Sequence, residues 1–236
     1  MAINPDTLAM FPMWFVVFLL SLTCHEAAHA FAAKLGGDLT AFHGGQVTLN
    51  PLPHIKREPF GTIFFPIITY LLSGWMMGWA SAPYDPNWQR RYPRRAAWMA
   101  MAGPAANLAL VILASLAIHA GMLAGIFDSP ERVNFTHVVH AASGAVAESL
   151  ATFLSILFSL NLLLAAFNLL PIPPLDGNTA VGLFLNEKAA LRFAELSHHR
   201  SFTFIGIIIA WRVFNYVFDP IFTLGLNLLY PGLSYH

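Results

Sequence analysis

The sequence predicts an all-α polytopic membrane protein with about four to six membrane segments. Two observations carry this. Of its 236 residues, 57% are hydrophobic and only 10% charged, where a soluble domain has about 25% charged residues. Long apolar stretches also recur, at Phe11–Ala33, Phe60–Ala82, Ala96–Gly125, Leu150–Leu170 and Phe202–Tyr230, with most of the charge in the connections. The length suits one domain over residues 1–236. A formal net charge of zero removes the basic footprint of a nucleic-acid binder. A single cysteine, Cys24, excludes an internal disulfide framework.

Phe11–Ala33 has 23 residues without Lys or Arg. As a helix it is about 35 Å long, enough to span a bilayer. No positive residue precedes it and no small-residue cleavage site follows, so it is expected to be a retained span, not a signal peptide. Phe42–Pro53 changes character. Gly44-Gly45, the alternation Gln46-Val47-Thr48-Leu49 and then Asn50-Pro51-Leu52-Pro53 suit a short extended or β segment, able to pair with an unwound substrate strand. Phe60–Ala82 is apolar but interrupted by Pro66, Gly74 and Gly78. It reads as a kinked span or a re-entrant hairpin, since irregular backbone at depth is tolerated where protein covers it.

The basic loop Gln89–Arg95 serves as an orientation signal at the headgroups. Ala96–Gly125 contains Ala102-Gly103-Pro104-Ala105-Ala106-Asn107; small residues there let helices approach closely, with Asn107 as interhelical glue. Ile126–Glu148 is a polar connection whose His137 and His140 read as surface histidines. Leu150–Leu170 is a clear span, ended by Asn168-Leu169-Leu170-Pro171-Ile172-Pro173-Pro174-Leu175-Asp176-Gly177, where the prolines force the backbone to turn. Asp176 is then a fixed acid at a helix break, or the N-cap of a following helix at Thr179–Leu185.

The chemistry centres on His25-Glu26-Ala27-Ala28-His29. On a helix His25 and His29 lie about 40° apart on one face and can share a metal, while Glu26 is free to act on a water. Ionisable groups at membrane depth are expensive and mark function; the structural alternative is a pair of satisfied core histidines. A catalytic zinc needs three protein ligands and an open position. Asp176 is the leading third ligand and His54, also in a Pro-rich turn, its competitor. Zinc-bound water is then the nucleophile, Glu26 the general base that passes its proton to the leaving amine, and Asn168 a donor to the developing oxyanion. A divalent-metal transporter is the alternative, since it too places His and Asp at depth, although it has no need of Glu26.

H-E-x-x-H on a span, A-G-P-x-x-N on a later one and N-x-x-P-x-P-x-L-D-G closing another resemble the site-2 protease family of intramembrane zinc metalloproteases. Thr48–His54 and Gly61-Thr62-Ile63 are similar to its compact bacterial and archaeal branch. The resemblance implies one zinc on His25, His29 and Asp176, Glu26 as base, Asn168 assisting the substrate, and regulated cleavage of a transmembrane protein within the bilayer. It leaves His54 and Asn107 as substrate-contacting or site-shaping residues, and no segment for a PDZ or CBS-type domain. It also implies a multi-pass protein of a prokaryotic cytoplasmic membrane. For the histidines to meet Asp176, their two spans must run the same way, so Phe60–Ala82 must return to the side it left. Ten of the twelve Lys and Arg residues then share one face, with the zinc toward the cytoplasm.

Overall fold

The computed structural model describes residues 5–197 and 200–235 and is built of helices around one central span. In order these are α1 (Pro5–Leu35), α2 (Thr40–His43), α3 (Pro51–Arg57), a π-helical turn at Phe60–Phe64 leading into α4 (Phe65–Ser73), α5 (Pro86–Arg91) and α6 (Pro93–Leu123). Two short antiparallel strands, β1 (Phe127–Asp128) and β2 (His140–Ala141), precede α7 (Ala145–Asn168). Then come α8 (Asp176–Ala180), which ends in a 3-10 turn, α9 (Glu187–Ser197) and α10 (Arg200–Leu229). Among the described residues, Thr7–Gly36, Pro93–Leu123 and Ala145–Asn168 are long and apolar enough to cross a membrane. Ile205–Phe214 and Tyr216–Leu229, bent by 47°, form a fourth span if taken together.

Polarity is arranged for lipid. On α6 the exposed face carries Leu108, Ile112, Leu113 and Leu116, whereas Ser21, Asn107, Ser155 and Asn161 are fully buried. Water cannot satisfy polar groups in hydrocarbon, so these four turn inward and bond within the protein. Asn107 of α6 donates to Asn161 Oδ1 of α7 (2.8 Å), and Asn161 donates to Ser21 Oγ of α1 (2.9 Å). The order of contacts fixes direction. Ser21 meets Asn161 and His29 meets Asp176, so α1 and α7 run parallel; Asn107 lies beside His25 and Met99 beside His29, so α6 runs against both.

Parallel α1 and α7 require the chain between α1 and α6 to end where it began, and it does. Phe60–Ser73 descends as helix along α1, with Tyr70 donating to the Thr7 carbonyl (3.0 Å) near the amino-terminal end of α1. Gly74 then adopts φ 73°, a left-handed turn suited to glycine, and the chain returns without regular structure. At the neck, Trp79 N–H donates to the Gly61 carbonyl (3.1 Å) and Ser81 Oγ to Glu58 Oε1 (2.9 Å). A Cβ on Gly78 would collide with Gly61 O and Phe18, so glycine permits the close crossing. Phe60–Ala82 is therefore a hairpin with one helical and one irregular arm. Asp38 pins its exit beside the end of α1, accepting from Thr40 N–H and Asp85 N–H (2.9 and 2.8 Å). Burial pushes the Asp38 carboxyl up, and a bond from the Thr40 hydroxyl (2.6 Å) together with these two outweighs it and holds the group below its usual range.

Phe42–Pro53 departs from the expected extended segment. It comprises the end of α2, a turn and the start of α3. Pro51 opens α3, where a missing N–H costs nothing, and Asn50 caps it by accepting from Leu52 N–H (3.0 Å). Among the described residues the strands lie instead in the connection between α6 and α7.

The hairpin makes a sidedness prediction. In a Cys24→Ser background, an impermeant thiol reagent that labels Asn87→Cys in sealed vesicles should also label Lys56→Cys, on the other side of the hairpin in sequence, and should not label Ser143→Cys, beyond α6. Labelling of Lys56→Cys and Asn87→Cys from opposite faces would mean that Phe60–Ala82 crosses the membrane once.

Candidate metal centre

Three elements bring the site together. α1 presents His25 and His29 one turn apart; they are 5% and 6% exposed, with Glu26 between them at 5%. The break after α7 supplies the carboxylate. Pro171, Pro173 and Pro174 stop the helix, and the chain doubles back tightly enough that a Cβ on Gly177 would strike the carbonyls of Leu169 and Leu170. Asp176 thereby returns to the level of His29. It begins α8 but does not cap it, because Leu175 holds the N-cap position and the carboxylate faces the histidines instead. α6 forms the far wall.

His25 Nε2 and His29 Nε2 are 3.0 Å apart, and Asp176 Oδ2 is 3.1 and 3.2 Å from them. Ligand atoms around a tetrahedral zinc, each about 2.0–2.1 Å from it, are about 3.3 Å apart. The observed triangle is close to that, so the three atoms would fit as ligands of one ion. The proton positions agree. His29 Nδ1 donates to the Met99 carbonyl (2.7 Å), which can only accept, so in the neutral ring Nε2 carries a lone pair. His25 Nδ1 faces Asn107 Oδ1 (2.6 Å), which leaves its Nε2 bare as well. With both rings neutral, two lone pairs and a carboxylate oxygen converge with no donor among them, and that donor set fits a cation. Gly103 of α6 closes the space: a Cβ there would lie against both Nε2 atoms.

Of the residues expected at the site, His25, His29 and Asp176 come together, and among the described residues theirs is the group able to hold a metal. Glu26 is buried on the same turn of α1 as His25. Asn107 touches His25 directly. Asn168 ends α7 half-buried. His54 stands apart; it is buried with its Nε2 3.1 Å from the Thr48 carbonyl and belongs to the turn before α3. Sequence reasoning passed over Ser21 and Asn161 and took Gly103 only for a packing glycine. Asn161 in an otherwise apolar span was the available signal.

Comparison with known proteins agrees. The model of peptidase family M50 matches residues 13–212. The chain belongs to this family, that of the site-2 proteases. A Bacillus subtilis (strain 168) protein named "Putative zinc metalloprotease YwhC" is 31% identical over 241 residues, covering 96% of each chain. Rip2 proteins, named in the same terms, are 27% identical over 205 residues in Mycolicibacterium smegmatis, covering 87% of this chain and 70% of that one. In Mycobacterium tuberculosis (H37Rv) the figures are 32% over 172 residues, 73% and 57%. No solved structure matches. The family and these relatives make the chain a zinc metalloendopeptidase of the site-2 protease type, and the donor set fits zinc.

The wall position of Gly103 is testable. Gly103→Ala should reduce the zinc content of the purified protein about as far as Asp176→Ala does, roughly tenfold or more in affinity, with helix content unchanged by circular dichroism. Full zinc in Gly103→Ala would place the ion away from α6.

Proposed function

We propose that the protein hydrolyses peptide bonds in or near the transmembrane segments of membrane-protein substrates, with His25, His29 and Asp176 as its zinc ligands, Glu26 as general base and Asn168 as an oxyanion donor. The observation that carries this is the convergence of three ligand atoms, His25 Nε2, His29 Nε2 and Asp176 Oδ2, beside a buried side chain, Glu26, with no hydrogen-bond or ion-pair partner among the described residues. A carboxylate without a partner is costly to bury, and a metal carrier has no use for one here. Zinc bound to the three ligands supplies a Lewis acid that brings the pKa of water to about 7.

The chain does the rest. Nδ1–H bonds to Met99 and Asn107 hold both imidazoles with Nε2 toward the ion. Glu26 takes a proton from water and passes it to the leaving amine. Asn168, whose amide makes no hydrogen bond among the described residues, is free to donate to the scissile carbonyl as it gains charge. The Asp176 side chain is 23% exposed while those of the histidines are 7% and 8%, so water and peptide enter from the Asp176 side. A helical segment hides its carbonyls, so the substrate unwinds locally before it is cut. The hairpin places Lys34, Lys56 and Arg57 with Arg90, Arg91, Arg94 and Arg95, on the same face as Lys188, Arg192 and Arg200; Arg132 stands opposite and Arg212 lies within α10. By the positive-inside rule that face is cytoplasmic, in a multi-pass protein of a prokaryotic cell membrane with the zinc on its cytoplasmic side.

Two variants separate the roles. Glu26→Gln keeps shape and removes the base, so the purified protein should hold zinc at wild-type stoichiometry and release no product from a transmembrane peptide in detergent. Asn168→Ala should also hold zinc but lose about 10²-fold in kcat, near 3 kcal/mol. Turnover by Glu26→Gln would remove Glu26 from the chemistry, and zinc loss in Asn168→Ala would make Asn168 a structural group.

A further inference from the structure

We infer that Asn161, acting through Asn107, is a positioning residue that sets which nitrogen of His25 is free for the metal. This rests on the assignment of His25 as a zinc ligand. The amide of Asn107 has two faces, an acceptor oxygen and a donor nitrogen. With Oδ1 toward His25 the imidazole keeps its proton on Nδ1, and Nε2 is a ligand. With Nδ2 toward His25 the same imidazole accepts at Nδ1, carries its proton on Nε2 and cannot bind zinc until it loses that proton. Asn107 alone does not choose between these.

Asn161 makes the choice. Its Nδ2 donates to the Leu157 carbonyl (2.8 Å) and to Ser21 Oγ (2.9 Å), using both hydrogens. Ser21 cannot donate back, because its hydroxyl proton is committed to the Val17 carbonyl (2.7 Å). Asn161 is left with only Oδ1 toward Asn107, and it accepts from Asn107 Nδ2 at 2.8 Å. That turns Asn107 Oδ1 to His25 Nδ1 at 2.6 Å. Ser21, Asn107 and Asn161 are 0% exposed, so no water competes for any of these bonds. The polarity of the chain originates in two helix carbonyls, Leu157 and Val17, which can only accept, and it runs in one direction to the metal-facing nitrogen. His29 needs no such relay, because its Nδ1 meets a carbonyl directly.

The test is zinc affinity, measured by chelator competition on full-length purified protein, so it does not depend on cleavage. Asn161→Leu removes the acceptor and frees Asn107 to turn; affinity should fall about 10- to 100-fold. Asn161→Asp keeps an oxygen toward Asn107 whether ionised or protonated, and should stay within about threefold of the unchanged chain. In Asn161→Leu combined with Asn107→Asp, the group beside His25 has no N–H to turn toward it, and affinity should return. Affinity unchanged in Asn161→Leu overturns the proposal. So does a loss that Asn107→Asp does not repair, since that is what a packing defect would give. If Asn161→Leu does not yield a monodisperse protein, Asn107→Leu against Asn107→Asp makes the same comparison, and equal affinities overturn it. An unchanged chain that binds zinc but cleaves no peptide would fail the proposed function and leave the relay standing.

Discussion

Hydrocarbon gives a buried polar group nothing to bond to, and that constraint organises this molecule. Most side chains that are polar at depth are satisfied inside the bundle, the Thr23 and Ser159 hydroxyls and Glu26 being exceptions among the described residues. Ser21, Asn107 and Asn161 find one another across three helices. His25 and His29 each discharge one nitrogen onto α6, and the nitrogens left over point at each other and at Asp176. The same bonds that hold α1, α6 and α7 together therefore create the site, and stability and ligand geometry are not separable here.

Backbone economy does the remaining work. Gly103 withholds a side chain beside both Nε2 atoms, Gly177 lets the chain fold back under α7, and Gly78 lets the hairpin arms cross. Each acts by what it omits, and each stands where backbone or a ring approaches closer than a Cβ allows. The prolines are complementary. They end α7 before Asp176 and start α3, α5 and α6 at positions where no N–H is needed.

The hairpin has a purely topological role in the site. Two parallel spans with one antiparallel span between them demand an even number of crossings elsewhere, or a segment that enters and leaves on one side. Phe60–Ala82 meets that demand with a helix too short to span and an irregular return, sealed at the neck by the Trp79–Gly61 bond and packed at its tip by Tyr70, Trp14 and Phe11.

The sequence by itself determined the membrane class, the principal spans and the chemistry of the histidine helix, because these are local. Apolar length makes a span, and a four-residue spacing puts His25 and His29 on one face whatever surrounds them. It also narrowed the third ligand to Asp176 or His54, and the demand that Asp176 meet the histidines was enough to anticipate the hairpin's return. Phe42–Pro53 was misread because alternation in a short segment is a weak signal and proline at a helix start is as natural as proline in a turn. Only the tertiary structure decided that His54 turns away to Thr48, that Gly103 lines the metal space, and that Asn161, 54 positions from Asn107, settles the orientation of an amide on another helix. Those are contacts between helices, and the direction of a hydrogen bond across an interface is fixed by what both partners already bond to, which no spacing along one strand of sequence records.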